Sequence, residues 1–567
     1  MNVALPGVRR RPALQERPAA PPPEALDRRG GIGARRRSIA DALLAVPPRV
    51  YFSALTLFAL ALFVNGFRHM VTPDIHIDEM IYASTGQDVA TGKGLTVQGM
   101  PFFWQPPLFF MVEAPIIRLF GLGGSNVLDV ALQMRLLNAG LGAATALGLF
   151  WLGWRLRGMW AGWAMALLYV TDPFVVRVTR RLYLEPFAAM WVLFALWFCW
   201  SSSGRWTWKR RAIAGVLFGL ALLSKELTFF ALGVPVLLWL RREMSWKEPF
   251  GIIGVAALTY AIYPLWSYAV GWGNLFLDLK RFQYDRLVGV FQYSGWNRPG
   301  VSFTQALAVN AADYWTSYLC ILLAVPATFI LWRRRDKASR FLSSWTVITF
   351  LFFGGLVKFG TLNDQFFYYL MIPVLATVAY VYAFNLPRLV RDVRRSWRRN
   401  DAVSLVYNVN LGLVALVVGL LVLRPNAQVW TQRFAIERDD AIRGVANVIR
   451  DKVPKGAIVD LPGTGAEILK FVFPNNEYQL IAETRPQRIA AEQIHWFVLS
   501  DKDIWLKNGI DQHFYDAIGG QGTHVWGVYE HTFWNMGVWY VPYPDQLAKT
   551  PPRLSQAPQR ELDARRT

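Results

Sequence analysis

Residues 135–153, RLLNAGLGAATALGLFWLG, form an apolar run that leads into a basic stretch at 155–157 and a second apolar run at 160–171. A helix needs about 20 mostly apolar residues to cross the hydrocarbon core of a bilayer. Such blocks recur, and the sequence predicts a polytopic α-helical membrane protein with about eleven transmembrane helices. The predicted spans are centred in 50–67, 135–153, 160–171, 183–200, 212–224, 227–240, 250–270, 313–332, 343–357, 366–385 and 404–423.

Composition agrees with this interpretation. The chain has 567 residues, of which 54% are hydrophobic and 17% charged, against roughly 25% charged residues in soluble domains. These values exclude an intrinsically disordered chain and argue against a soluble globular one. The two cysteines, Cys199 and Cys320, both lie in apolar blocks, so neither a disulfide framework nor a Cys-x-x-Cys metal site is expected.

The net charge of +21 suggests nucleic acid, an anionic membrane or an acidic ligand as partner. If the amino terminus is cytosolic, the basic stretches all fall on the cytosolic side, and their charges sum to about +21. They are 1–49, 155–157, 205–211, 241–248, 333–340 and 388–401. The charge therefore sets orientation in a plasma membrane and meets anionic lipid head groups, and no nucleic acid is expected. Arginine outnumbers lysine, which suggests a bacterial source.

The map divides the chain into four parts. Residues 1–49 are predicted to be a disordered, basic cytosolic tail, and 50–424 a transmembrane catalytic module whose first outer loop is 68–134. Residues 425–547 are less apolar and predict a small extracytoplasmic α/β domain, with a helix at 437–452 and strands at 456–460, 478–482, 495–499 and 525–529. Residues 548–567 are predicted to be disordered.

The first outer loop carries two adjacent carboxylates, Asp78 and Glu79, just after the first span. A sugar or lipid hydroxyl has a pKa far above 7, so a carboxylate must take its proton during attack, and one of these two is a candidate general base. The alternative is a helix start, with Asp78 as N-cap and Glu79 in the first turn. His76 is a weak metal-ligand candidate with Glu79 and His69, but no recognised metal-binding spacing is present.

Further charges lie at predicted outer ends of spans. A buried Glu185 should face the bundle interior or a wet cavity. Lys225 is a cation on the outer side, which invites an anionic partner such as a lipid phosphate. Lys358 and the run 364–369 repeat that pattern at the outer ends of two later spans. Snorkelling at a helix end is the alternative explanation, and it accounts well for Arg180 and Arg181 and less well for Lys225.

Together these residues resemble the GT-C glycosyltransferases of the protein-mannosyltransferase and aminoarabinose-transferase type. The resemblance spans roughly 50–390 and rests on motifs in the family's order. They are Asp78-Glu79, Tyr82, Gly92, Pro106-Pro107-Leu108, Leu119-Phe120-Gly121, Arg135, the acidic residue at 185, Gly219 with Leu223-Ser224-Lys225, and Tyr369-Leu370-Met371-Ile372-Pro373. Two positions depart from the family: Gln105 stands where Lys or His is usual, and Glu185 where Asp is usual.

The resemblance implies transfer of a sugar from a polyprenyl-phosphate donor to a lipid, protein or glycan acceptor on the outer face, with inversion. It implies Asp78 as the base, Glu79 as a helper or positioner, and Glu185 as a group that orients the sugar or the surroundings of Asp78. The leaving phosphate would be neutralised by Lys225, Arg181 and Lys358, and the substrate pocket would include Tyr82, Gln105 and Tyr369. No cofactor is required, since countering the phosphate charge already favours departure; a divalent metal is compatible with the pattern.

Two other functions fit parts of the sequence. A lipid or solute transporter shares the many spans and the few intramembrane charges, but it predicts inverted repeats and broken helices near the midplane. A non-catalytic membrane scaffold explains the soluble domain and leaves the carboxylates without a purpose.

Overall fold

The computed structural model describes residues 46–64, 75–200, 207–290, 295–297, 302–382, 386–399, 406, 409, 419–422, 424–426, 441–473, 477–506, 510–528 and 534–549. By its internal contacts the chain divides into residues 1–51 and 52–567. The first unit is described only at 46–51, where helix α1 begins. Most of the predicted tail 1–49, most of the span at 404–423, residues 550–567 and His69 lie outside the described residues.

The described part of 46–399 is helical apart from one short hairpin. Its helices are α1 (Pro48–Leu62), α2 (Ile77–Ala90), α3 (Leu108–Leu119), α4 (Val127–Arg157), α5 (Met159–Thr171), α6 (Pro173–Thr179), α7 (Glu185–Cys199), α8 (Trp208–Ser224), α9 (Gly233–Leu240), α10 (Lys247–Ala269), α11 (Gly273–Leu287), α12 (Phe303–Val309), α13 (Ala311–Arg333), α14 (Lys337–Phe359), α15 (Phe367–Tyr382) and α16 (Leu386–Arg398). Short 3₁₀ turns occupy Leu122–Gly124, Glu226–Leu232 and Asp364–Phe366. The hairpin pairs β1 (Thr96–Val97) with β2 (Met100–Pro101).

The first ten predicted spans each fall on a helix, and the protein is a multi-pass helical membrane protein. Five described helices, α4, α10, α13, α14 and the helical segment Asp364–Tyr382, are long and apolar enough to cross a membrane. A sixth span results if α5 and α6, which bend by 67° at their junction, are counted together. Other apolar helices are shorter, such as α7 with 15 residues. The count of eleven therefore stays a prediction, because hydropathy alone does not decide whether a short helix crosses the bilayer.

The bend between α5 and α6 has a local cause. Asp172 precedes Pro173, and a residue before proline is disfavoured in the α conformation. Asp172 instead caps α6, since its Oδ1 accepts from the amide of Val175 at 3.1 Å. Its Oδ2 accepts from the Ser317 hydroxyl at 2.8 Å, which ties the bend to α13.

The described residues after 440 form an α/β unit. Its helices are α17 (Ala441–Lys452), α18 (Thr464–Glu467), α19 (Leu469–Val472), α20 (Pro486–Ala491), α21 (Asp501–Leu506) and α22 (Gln512–Gln521), with a 3₁₀ turn at Pro544–Lys549. Its strands are β3 (Ile458–Asp460), β4 (Gln479–Ile481), β5 (Trp496–Ser500), β6 (Thr523–Val528) and β7 (Met536–Tyr540), in the order β4-β3-β5-β7-β6. Strand β3 pairs in parallel with β4 and β5, and β7 pairs antiparallel with β5 and β6. The four predicted strands fall on β3 to β6, and α17 covers 441–452 of the helix predicted at 437–452, whose first four residues lie outside the described ones. Strand β7 was not predicted.

Candidate functional site

The amino terminus of α2 presents the two adjacent carboxylates. The helix begins at Ile77, and its N-cap is His76, whose Nδ1 accepts from the amide of Asp78 at 3.2 Å. The alternative interpretation, with Asp78 as the N-cap, is therefore wrong, because the imidazole nitrogen of His76 takes that role two residues earlier. Asp78 lies in the first turn, and its side chain is 27% exposed, with Oδ2 at 3.6 Å from His76 Nδ1.

The Glu79 carboxylate accepts four hydrogen bonds. It is fully buried, and Arg135 of α4 grips it through Nε to Oε1 and Nη2 to Oε2, both at 2.8 Å. The amide of Leu182 also donates to Oε1 at 2.8 Å, and the amide of His76 donates to Oε2 at 3.0 Å. A carboxylate that already accepts from four donors is unsuited to proton transfer, so this geometry favours the positioning role over the helper role.

Helix α4 also fixes the segment that leads into α7. The side-chain amide of Asn138 donates to the carbonyl oxygens of Arg181 and Tyr183, each at 2.6 Å. Arg181 is 3% exposed and donates from Nη1 to the Tyr183 hydroxyl at 3.1 Å. Asn138 was not predicted, because an amide within an apolar span gives no signal of its partner in the sequence.

A buried ion pair joins α7 to the end of α8. Glu185 opens α7 and is fully buried, and the Lys225 ammonium, 5% exposed, contacts its Oε1. Glu185 Oε2 finds no hydrogen-bond donor among the described residues, and the hydroxyl of the buried Tyr369 has none there either. Lys225 lies over the ring of Phe366 at 5.4 Å from the ring centroid. Two buried polar groups thus remain available beside one buried cation.

Asp78 faces the same region. Burial raises the pKa of the Tyr82 hydroxyl well above its usual value, and the charges of Asp78 and Glu185 raise it further. Both carboxylates therefore lie within electrostatic reach of Tyr82. Of the three predicted catalytic carboxylates, Glu79 and Glu185 are fully buried, and Asp78 alone is accessible. A substrate can reach Asp78 without displacing the packed core.

A second ion pair borders this cluster. Arg177 of α6 contacts Asp364 at 3.3 Å between Nη2 and Oδ2, and it also donates to the Tyr314 hydroxyl. The guanidinium of Arg181 adds to the positive field at Asp364. The sequence showed Asp364 at a span end but gave Arg177 no role, because its neighbours along the chain are mostly apolar.

The remaining predicted residues are dispersed. The Gln105 carbonyl accepts from the Tyr263 hydroxyl at 3.1 Å, beside a network in which Lys280 lies 2.8 Å from Glu226 Oε2. Lys358 is exposed and contacts the ring of Phe359. The structure thus brings together Asp78, Tyr82, Glu185, Lys225 and Tyr369, and it does not place Lys358 among them.

The metal prediction finds little support among the residues described. They include no group of three or more His, Cys, Asp or Glu side chains that could hold a metal ion. His76 Nδ1 caps α2 and both Glu79 oxygens are taken by other donors, so these two side chains are already committed.

Known proteins share this architecture. ArnT from Cupriavidus metallidurans, bound to undecaprenyl phosphate, aligns at a TM-score of 0.54 with 14% identity, over 89% of this chain and 98% of that one. The oligosaccharyltransferase from Archaeoglobus fulgidus in its apo form aligns at 0.52 with 11% identity, over 86% of this chain and 74% of that one. The chain has the GT-C fold. No protein-family profile matches the sequence.

The GT-C fold confirms what the motifs predicted at the level of architecture. Apo ArnT from the same organism aligns over 91% of this chain and all (100%) of that one, at a TM-score of 0.52 and 15% identity.

Proposed function

We propose that the chain is a membrane glycosyltransferase that moves a sugar from a polyprenyl-phosphate donor to an acceptor hydroxyl or amine on the outer face. The acceptor is a lipid, a protein or a glycan. The similarity to GT-C transferases supports glycosyl transfer in general, and the ArnT structure at 98% coverage holds undecaprenyl phosphate. The specific mechanism rests on the side chains of this chain.

The observation that carries the proposal is the cluster formed by Asp78, Tyr82, Glu185, Lys225 and Tyr369. A buried cation next to buried polar atoms without partners is costly unless a ligand completes the set. Glu185 Oε2 and the Tyr369 hydroxyl are two such atoms among the described residues. They fit the hydroxyl groups of a sugar, while Lys225 fits the phosphate that the sugar leaves.

Each step has a residue to perform it. The acceptor O–H or N–H gives its proton to an oxygen of Asp78 as the acceptor atom attacks the anomeric carbon from the side opposite the phosphate. The bond between that carbon and the phosphate oxygen breaks, and the electron pair stays on the polyprenyl phosphate. Lys225 and Arg181 stabilise this developing charge in a site of low dielectric constant. Because the acceptor attacks opposite the leaving phosphate, the anomeric centre is inverted in one step, without a covalent intermediate.

The other predicted residues keep supporting roles. Glu79, fixed by Arg135, holds the first turn of α2 against α4 and so places Asp78. Lys358 and Gln105 are proposed to meet the donor and the acceptor further from the reacting atoms. The carboxy-terminal part, 425–547, is proposed to lie outside the cytosol, with the amino terminus inside.

The test is Asp78→Asn in proteoliposomes supplied with a radiolabelled polyprenyl-phosphate sugar and a panel of lipid, peptide and glycan acceptors. The amide cannot take the proton, and we expect transfer to fall by a factor on the order of 10²–10⁴. Asp129→Asn is the matched control, because Asp129 is a half-exposed carboxylate whose partner is Arg443, and it should transfer normally.

Three outcomes are decisive. Loss of transfer in Asp78→Asn with normal folding supports the proposal. Normal transfer in this variant removes Asp78 as the base. Movement of the labelled lipid between leaflets by the wild-type protein, without transfer to any acceptor, would instead favour a flippase.

A further inference from the structure

The carboxy-terminal α/β unit contacts the segment 75–129 at several points. Gln98 donates from Nε2 to the Lys470 carbonyl at 3.1 Å, and Arg443 contacts Asp129 at 2.8 Å. A further contact reaches the start of α2 itself: Trp534 donates from Nε1 to the carbonyl of Ile75 at 3.0 Å. This contact joins residues 459 positions apart, next to the cap that precedes Asp78.

Burial and two contacts set the position of Trp534. The side chain is 3% exposed. The hydroxyl of Ser500, at the end of β5, donates to the Trp534 carbonyl. The ring lies so close to Gly465 of α18 that a Cβ at that position would collide with it. The indole N–H is therefore aimed by the sheet and by α18, and it has little freedom to move away from Ile75.

Ile75 is 1% exposed and precedes the N-cap His76. The cap residue holds the first turn of α2 through two reciprocal hydrogen bonds, from the Asp78 amide to His76 Nδ1 and from the His76 amide to Glu79. First turns leave amides without intrahelical partners and fray readily. The hydrogen bond from Trp534 to the Ile75 carbonyl links the residue that leads into that turn to the α/β unit.

We propose that Trp534 is a positioning residue for Asp78, acting through the Ile75 carbonyl and the His76 cap. The α/β unit would then take part in catalysis without touching the reacting atoms, because displacing a catalytic group by about 1 Å can cost on the order of a hundredfold in rate. The inference rests on the proposed function for its kinetic consequence. Its structural consequence, order in the first turn of α2, stands without it.

The variant Trp534→Phe keeps the ring contact with α18 and removes the N–H. The matched control is Trp539→Phe. Trp539 lies on β7, which begins two residues after Trp534, and its Nε1 is buried without a hydrogen-bond partner in the part of the chain that the structure describes. Both variants are made in the full-length protein and purified in detergent. Their apparent melting temperatures show whether the sheet survives.

The first measurement is hydrogen–deuterium exchange by mass spectrometry over peptides spanning 75–82. Loss of one neutral hydrogen bond should speed exchange there by about three- to tenfold in Trp534→Phe. Exchange in Trp539→Phe should match wild type. The second measurement is steady-state transfer, where we expect kcat to fall by about three- to tenfold, with KM for the donor little changed, because the proposed phosphate contacts, Lys225 and Arg181, lie outside α2.

Unchanged exchange at 75–82 in Trp534→Phe overturns the inference. Equal acceleration in both variants does so too, since it reports general loosening of the α/β unit. If wild type transfers no sugar at all, the proposed function fails while the exchange data still decide the positioning role. If exchange speeds up and kcat does not change, Trp534 orders α2 but does not position Asp78.

Discussion

The Glu79→Gln variant should unfold more readily than the wild-type protein, whereas the Asp78→Asn variant should not. Glu79 is fully buried and accepts four hydrogen bonds, two of them from Arg135. An amide would turn an NH₂ group towards the guanidinium or towards a backbone amide, so donor would meet donor. Asp78 is 27% exposed, so water compensates its substitution.

The magnitude follows from the buried pair. Removing one partner leaves the charge of Arg135, 5% exposed, without compensation, at a cost of about 3–5 kcal/mol. That is a large share of the roughly 5–15 kcal/mol that stabilises a folded domain. Asp78→Asn should cost no more than about 1 kcal/mol, since exposed ionic contacts contribute little.

The assay compares thermal unfolding of both variants with wild type, in detergent and at one pH. We expect the apparent melting temperature to fall by several degrees in Glu79→Gln and to stay at the wild-type value in Asp78→Asn. The double variant Arg135→Met with Glu79→Leu should recover only part of the loss, because an apolar pair leaves no buried charge but the amides of His76 and Leu182 lose their acceptor. A Glu79→Gln protein that melts like wild type and yet transfers no sugar would refute the reasoning and assign Glu79 a direct chemical role.

Two further predictions concern other sites. Burial, with the charge of Glu483 adding to it, raises the pKa of Asp460 from 3.8 to about 7; the folded state then keeps a proton that the unfolded chain has released, so stability should fall as pH rises from about 4 to 7, by at most about 4 kcal/mol. Asp460→Asn should flatten this dependence in melting curves recorded between those pH values, since the amide oxygen can still accept from the Glu483 amide at 2.9 Å, and a curve as steep as wild type would contradict it. Tyr369→Phe should melt like wild type, because its hydroxyl has no partner among the described residues, and should slow transfer by about tenfold if that hydroxyl binds the donor; unchanged kcat/KM would remove it from the pocket.

Hydropathy predicted the helices well because burial in lipid demands a continuous apolar run, and such a run is visible in one segment at a time. The same holds for β3 to β6, whose apolar residues stand out in a polar region. β7 is Met-Gly-Val-Trp-Tyr, where a glycine weakens the strand pattern. Its pairing with β5 and β6 supplies the stability that the local sequence does not show.

The site was predicted in part for the same reason. Asp78, Glu185, Lys225 and Tyr369 stand out as polar residues in apolar surroundings, and the structure brings them together. What the sequence could not show is which charge meets which, because the partners of Glu79 and Glu185 lie 56 and 40 positions away. Pairing of this kind depends on how the helices pack, and one sequence does not contain that information.

The paired charges also bear on the scaffold alternative. A buried ion pair adds little stability and often less than an apolar pair of equal volume, so the buried pairs that the structure describes between α2 and α15 need a reason other than folding. They are Glu79 with Arg135 and Glu185 with Lys225. Two partly exposed pairs lie in the same region, Arg177 with Asp364 and Glu226 with Lys280. Charges and dipoles that are fixed before reaction are what a site needs when negative charge moves from an acceptor to a leaving phosphate. Among the described residues Asp78 has only the His76 ring within ion-pair distance, so its carboxylate is less committed than those of Glu79 and Glu185 and is partly open to an acceptor.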